Sequence, residues 1–275
     1  MERSYLFVPG DRSDRFDKAM AGGADQVIID LEDAVPILAK TAARVATAGW
    51  LNAGKPVIVR VNSPDTQWFL EDIELARNPG VRGLMLPKAE TLSADLLAVC
   101  SAHNKFIIPM IETAVGFQNL PAIAAHPQVQ RIAFGSIDFQ VDLGIPGEGE
   151  ALLFFRSQLV LQSRLAGLQS PLDGVTVDIN NADQLNADAQ HAKLLGFGAK
   201  LCIHPRQVEA VNRMFSPSAE EIGWAERVLQ AIAASKGAAV AVDGKMVDRP
   251  VLLKAQRIQA LAAKLCEGGI NERLA

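Results

Sequence analysis

Glu112 ends the apolar run Phe-Ile-Ile-Pro-Met-Ile, and Asp138 follows the next such run in Phe-Gly-Ser-Ile-Asp-Phe. Neighbouring strands lie only about 5 Å apart, so carboxylates on adjacent strand ends can share one cation. Two carboxylates with water and substrate oxygens completing an octahedron suit Mg2+. A carboxylate left bare in apolar surroundings is costly, so each of these two requires a cation or a partner. The competing structural reading pairs Glu112 with an arginine and has Asp138 capping a helix. Arg60, in Val-Ile-Val-Arg-Val-Asn, can grip a substrate carboxylate through two parallel hydrogen bonds. It can equally make an ion pair with Asp30 or Glu32, and the two roles are compatible.

Other strand-end positions add to the set. Asp30, Glu32 and Asp33 place three acids around one loop, either orienting metal-bound water from behind the ligands or capping the helix that follows. Gly135-Ser136 allows backbone N–H groups to approach an anion closely. Lys88, in Leu-Pro-Lys, raises a rival mechanism through a Schiff base, which requires a desolvated amine of lowered pKa; an ion pair is the plainer role. Asn62 and Asp178 also end apolar runs. His204, before Pro205, has no partner histidine at metal-binding spacing and reads as a hydrogen-bonded structural residue.

These positions follow from a repeated pattern. Eight short apolar runs recur: Tyr5–Val8, Val27–Leu31, Val57–Val61, Gly83–Leu86, Phe106–Ile111, Arg131–Phe134, Val175–Ile179 and Lys200–Ile203. Near-continuous hydrophobicity marks strands covered on both faces. Glycines that close helices precede most runs (Gly22-Gly23, Gly54, Gly80, Gly174 and Gly196/Gly198). Helical spacing covers Trp68–Arg77, Leu92–His103, Ala151–Leu168 and Ala182–Leu195. Alternation of this kind implies a parallel sheet with right-handed crossovers, and eight units fit a closed (β/α)8 TIM barrel better than an open doubly wound sheet. No GxGxxG or P-loop is present. The reactive ends of barrel strands are their C-terminal ends, which is where the residues above fall.

The barrel is expected over 1–215 and a C-terminal helical extension, acting as lid or oligomer contact, over 216–275. Within the extension, helices are expected at Ser218–Ser235 and Pro250–Cys266. Ala238–Val242 and Lys245–Val247 flank the turn Asp243-Gly244 as a hairpin. The apolar face of Pro250–Cys266 would pack on its own barrel or on a neighbouring subunit.

The composition is 49% hydrophobic and 21% charged, with a formal net charge of -4. Without a basic run, nucleic acid and acidic membranes are poor partners. Cys100, Cys202 and Cys266 stand far apart, in no metal or redox spacing, and read as reduced thiols. The opening run is too short for a signal peptide, and the cytoplasm is the expected compartment.

The sequence resembles the citrate lyase β-subunit-like branch of the HpcH/HpaI aldolase superfamily. The resemblance lies in Arg3–Gly10, Asp30–Val35, Val59–Asn62, Leu86–Lys88, Ile111–Thr113, Phe134–Phe139, Ile203–Pro205 and Asp243–Asp248, and it spans nearly the whole chain. It implies a TIM barrel assembled as a trimer or hexamer, with Mg2+ on Glu112 and Asp138. Arg60 would hold the carboxylate of a small α-keto acid, with Glu112, Gly135 and Ser136 also against the substrate. The other half would be an acyl-CoA, and Asp248 would complete the site from a neighbouring subunit as the proton-transferring group. The activity implied is carbon–carbon cleavage, or formation, of a β-hydroxy acyl-CoA such as citryl-, malyl- or citramalyl-CoA. The alternatives are aldol cleavage of free hydroxy-keto acids and a non-catalytic keto-acid-binding subunit. Pro36-Ile37-Leu38-Ala39 departs from the polar, acidic helix start usual in relatives.

Overall fold

The computed structural model describes residues 2–51, 56–235 and 240–271. Eight parallel strands close into a barrel in chain order. They are β1 Ser4–Pro9, β2 Gln26–Asp30, β3 Val57–Arg60, β4 Val81–Leu86, β5 Phe106–Ile111, β6 Ala133–Phe134, β7 Leu172–Asp173 and β8 Ala199–Cys202. Closure is made by β8 against β1, with Ser4 opposite Lys200 and Leu6 opposite Cys202. Tyr5, Ile28, Ile58, Met85, Ile108, Ala133, Leu172 and Leu201 fill the interior, as expected where strands are covered on both faces.

Helix starts follow local side-chain chemistry. Ser93 Oγ accepts from Leu96 N, Thr113 Oγ1 from Gly116 N and Asn181 Oδ1 from Gln184 N, each satisfying an otherwise orphaned N–H of a first turn. Gly196, at φ 103°, closes Ala182–Leu195 in the left-handed conformation that glycine adopts without strain.

One strand differs from the sequence expectation. The alternating Val175–Ile179 forms no strand of the barrel, and β7 is the two-residue Leu172–Asp173 just before it. Asp178 therefore ends no strand; it is exposed and accepts from Asn180 N. Gly174 follows β7 and closes no helix. A side chain there would place its Cβ 2.6 Å from Ser136 Oγ, so its smallness serves the neighbouring loop. Gly54 lies outside the described residues.

The chain divides into two compact units, Glu2–Arg213 and the C-terminal residues from Met214 on. In the second, the helices Ala219–Ser235 and Arg249–Asn271 flank the antiparallel hairpin β9 Val240–Val242 and β10 Lys245–Val247. Ala225, Val228, Ala255 and Ile258 form its core, with Ile222, Leu229, Val242, Val247 and Val251 packed around them. The apolar face of the last helix is thus used inside its own unit, against the preceding helix and the hairpin. The expectation had been packing on the barrel or on a second subunit. Ala238, Ala239 and the Cys266 side chain lie outside the described residues. Among the described residues, no helix is long and apolar enough to cross a membrane.

Candidate active site

The C-terminal ends of β2 to β6 bring Asp30, Glu32, Asp33, Arg60, Lys88, Glu112 and Asp138 to one mouth. The loop after β2 is built around Asp30. Its carboxylate accepts from Glu32 N at 2.8 Å and Ala34 N at 3.1 Å and takes Arg60 Nε at 2.7 Å and Nη2 at 2.6 Å. The same loop is fixed from behind by Lys40, whose buried ammonium bonds Leu31 O and Glu32 O at 2.9 and 2.8 Å.

Arg60 serves three acids. Besides Asp30, its Nη1 lies 3.0 Å from Glu32 Oε2 and 3.4 Å from Asp33 Oδ2, and its guanidinium stacks 4.7 Å over the Phe7 ring. Burial works against its charge, but Asp30, Glu32 and Asp33 outweigh that and hold the guanidinium above its ordinary range. The two-pronged grip available to an arginine is spent on Asp30.

Glu112 is buried at 2% exposure and forms no ion pair among the described residues. Its one hydrogen bond is accepted by Oε2 from Lys88 N at 2.9 Å. Burial pushes its carboxyl up to about 8, and Glu32 and Asp138 push in the same direction against Arg60 and the Lys88 N–H. Asp138 is half-buried in the first turn of the helix Ser136–Leu143, makes no side-chain cap, and has no hydrogen bond or ion pair among the described residues. The structural roles weighed for these two acids, an arginine partner and a cap, are therefore not the ones they play.

Gly135 has a different part from the one its sequence suggests. Its own N–H donates to Ile111 O at 3.1 Å, so it does not offer that N–H to an anion. What it provides is space: a Cβ there would lie 2.5 Å from Glu112 Oε1. The next residue, Ser136, is buried, and its Oγ finds no partner; Glu32 Oε2 likewise accepts no hydrogen bond despite lying near Arg60. Orphaned buried oxygens are uncommon and mark places where water, an ion or a ligand is accommodated.

Lys88 sits left-handed at φ 46° and its Nζ bonds Glu32 Oε1 at 3.0 Å. Burial lowers the affinity of this amine for its proton, but Glu32 and the neighbouring acids prevail and raise its pKa. That is the opposite of what a Schiff-base nucleophile requires. Asn62 faces away from the chemistry, its N and Nδ2 bonded to Asp72 Oδ2 at 3.0 and 2.6 Å. His204 caps a short 3-10 turn, its Nδ1 accepting from Arg206 N at 3.2 Å, as expected of a structural histidine. Asp248 is exposed in the C-terminal unit and caps the last helix by accepting from Val251 N at 3.1 Å.

Two features were not anticipated. Lys40, which ties down the acidic loop, carries no signal beyond being one lysine in a helix start. Behind β7, Asp173 is fully buried between Arg156 Nε at 2.9 Å and Lys200 Nζ at 3.0 Å, and these cations hold its carboxyl below the usual range despite burial. Of these three residues only Lys200 lies in one of the apolar runs, so the sequence offered no pattern that joins them. Near the mouth, a cleft of about 500 Å³ is lined by Phe7, Pro9, Arg15, Lys18 and His204.

The donor set fits magnesium. Two carboxylates, one buried with its pKa raised by that burial and one unpartnered among the described residues, are what a hard divalent ion that keeps several waters takes up. Among the described residues no group of three or more His, Cys, Asp or Glu is arranged to hold a metal.

Known proteins of the same kind share this architecture. The chain is 37% identical to a citrate lyase subunit beta-like protein of Deinococcus radiodurans, over 93% of this chain and 95% of that one. It is 35% identical to a (3S)-malyl-CoA thioesterase of Cereibacter sphaeroides, over 95% and 97%. The solved structure of CitE from Mycobacterium tuberculosis in complex with magnesium, acetoacetate and coenzyme A superposes with a TM-score of 0.82 at 34% identity, covering 95% of this chain and 98% of that one. The family model described as HpcH/HpaI aldolase/citrate lyase matches residues 3–205, spanning the barrel from its first strand to the turn after its last, and the chain belongs to that family.

Proposed function

We propose that this protein is a magnesium-dependent carbon–carbon lyase acting on a β-hydroxy acyl-CoA, releasing or consuming an α-keto acid and an acyl-CoA. The observation that carries the reading is Glu112: a carboxyl group buried at the reactive end of the barrel, pushed up to about 8 and joined by an unpartnered Asp138. Relatives support it, since structures of CitE from Mycobacterium tuberculosis hold magnesium with pyruvate and with oxaloacetate.

Glu112 and Asp138 would hold the ion, which when bound would supply Lewis acidity toward the substrate hydroxyl whose deprotonation precedes carbon–carbon cleavage. Arg60 keeps Asp30, Glu32 and Asp33 in place beside the pocket. Gly135 leaves Glu112 its position, and the first amides of the helix Ser136–Leu143 favour a negative oxygen of the substrate. The cleft beside Phe7 and His204 gives the thioester arm room. Asp248, exposed on its helix cap, would exchange the proton at the thioester α-carbon from a neighbouring subunit of a trimer or hexamer. Residues 216–275 would then serve as lid and oligomer contact.

A second reading has a specific support, the similarity to a malyl-CoA thioesterase: hydrolysis of the thioester instead of cleavage of the carbon skeleton. Products separate the two. Purified protein with MgCl2 is incubated with malyl-, citramalyl- and citryl-CoA and with the corresponding free acids. The lyase yields a keto acid and an acyl-CoA, in an EDTA-sensitive reaction. Free CoA with an intact hydroxy acid identifies a thioesterase, cleavage of the free acids alone identifies an aldolase without CoA, and no turnover on any of them contradicts an enzyme of this class.

A further inference from the structure

Glu112 and Asp138 come from different elements, one directly after β5 and the other in the first turn of the helix Ser136–Leu143. One ion can take both carboxylates only if those elements keep a fixed separation. Glu112 accepts from Lys88 N, but Asp138 has no side-chain partner among the described residues, so its place is set by where its helix lies. The Phe139 ring meets those of Phe117, Phe134 and Phe155 at 5.9, 5.4 and 4.7 Å, which holds that helix close. Apolar packing is non-directional and does not by itself fix register.

Beyond the β5–β6 pairing, two hydrogen bonds among the described residues join this helix and its entry to the chain around Glu112. At one end Gly135 N donates to Ile111 O at 3.1 Å. At the other, Asp142 Oδ2 accepts from Ala114 N at 2.7 Å, where Ala114 opens the helix Ala114–Gln118. Glu112 lies between Ile111 and Ala114, and Asp138 lies between Gly135 and Asp142. The two bonds therefore bracket both acids. Asp138 and Asp142 are four residues apart, so they stand on one face of their helix, a turn from each other. Ala114 is itself a fixed point. Thr113 Oγ1, just before it, donates to Glu90 Oε1 and accepts from Gly116 N, both at 3.0 Å, and a Cβ at Gly116 would fall 2.7 Å from Ala89 O.

We propose that Asp142 is a positioning residue of the magnesium site: by accepting from Ala114 N it fixes the helix that bears Asp138 against the segment that bears Glu112. The inference rests on the magnesium-dependent reading above and gives Asp142 no contact with ion or substrate. A carboxylate that accepts a backbone N–H makes a charge-assisted hydrogen bond, stronger than a neutral one. The first N–H of a helix has no partner inside it, so Asp142 takes nothing from the helix it meets.

Titration of the full chain with MgCl2 in a calorimeter tests this with two variants that cut the same bond from opposite sides. Asp142→Ala removes the acceptor. Ala114→Pro removes the donor and keeps the Asp142 charge, and proline suits the first position of a helix after an extended residue such as Thr113, at φ -134° and ψ 157°. Each variant is expected to weaken Mg2+ binding about tenfold, with a melting temperature in EDTA within a few degrees of wild type. The double variant is expected to match either single one to within about threefold, because both changes remove one interaction. Mg2+ affinity within about threefold of wild type in either single variant overturns the assignment, and in Ala114→Pro alone it would leave the charge of Asp142, not its hydrogen bond, as the cause. Losses that multiply in the double variant also overturn it, as does a melting temperature lowered by about 10 °C or more alongside the lost affinity, which marks Asp142 as a support of the fold. These outcomes leave the magnesium reading standing. A wild-type protein that binds no Mg2+ removes that reading and this inference with it.

Discussion

Glu112 occupies the space that Gly135 leaves open: a Cβ at position 135 would fall 2.5 Å from Glu112 Oε1, inside any permissible contact. The two residues end consecutive strands, and the Gly135 N–H is itself tied to Ile111 O, so the loop cannot slide away to make room. The glycine is a condition for the position of the acid.

Gly135→Ala therefore acts on Glu112. Gly135 has φ -89°, a value alanine adopts freely, so the fold tolerates the methyl and the flexible carboxylate is displaced. The expected result is a melting temperature within a few degrees of wild type, with Mg2+ affinity by calorimetry and turnover both reduced at least a hundredfold, equivalent to roughly 2.7 kcal/mol. Wild-type Mg2+ affinity in this variant would show that the carboxylate position is not critical.

Protonation of Glu112 links pH to both stability and metal binding. In the metal-free fold its carboxyl holds a proton up to about pH 8, whereas the ordinary value is 4.5. Between those limits the native state binds more protons than the unfolded chain, so stability falls as pH rises from about 4.5 to 8. Glu112→Gln carries no such proton and is expected to be the more stable form at pH 8 in EDTA, with the difference vanishing below about pH 5. Because an incoming cation must displace that proton, Mg2+ affinity of the wild type is expected to rise about tenfold per pH unit from pH 6 to 8. Melting curves and calorimetry across this range check both; flat profiles contradict a raised Glu112.

Asp173 behaves differently, as structure rather than chemistry. It is 1% exposed and bonded to two buried cations. Replacing it by asparagine leaves Lys200 without its countercharge and Arg156 with only the exposed Glu148, and breaking a buried pair from one side costs about 3–5 kcal/mol. Chemical denaturation of Asp173→Asn should show a loss of that size, and a loss under about 1 kcal/mol would show the cluster to be adequately solvated without it.

The barrel and most of its mouth were legible in the sequence because both obey one rule. Fully covered strands read as apolar runs, and a polar residue at the C-terminal end of a run emerges at the mouth; Asp30, Arg60, Lys88 and Glu112 were found this way. The rule failed at β7. Val175–Ile179 has the alternation of a strand, while the true strand Leu172–Asp173 is two residues long and carries a buried acid. What makes that acid tolerable, Arg156 and Lys200, is distant in sequence, so a local pattern cannot reveal it. The same limit hid the roles of Lys40 and Gly135. A lysine that holds two backbone carbonyls, or a glycine whose value is the room it leaves for Glu112, becomes visible only when the strands are laid side by side. The last helix shows the same limit: its apolar face was evident, while the hairpin and helix that it packs against within its own unit appear only in the fold.

The most direct measurement is a crystal structure of the protein grown with MgCl2 and sodium pyruvate. The expected result is a single six-coordinate ion bonded at about 2.1 Å to one oxygen each of Glu112 and Asp138, with pyruvate and water completing its shell. An ion bound elsewhere, or a mouth in which Glu112 keeps only the Lys88 N–H while Asp138 points into solvent under saturating magnesium, would contradict it.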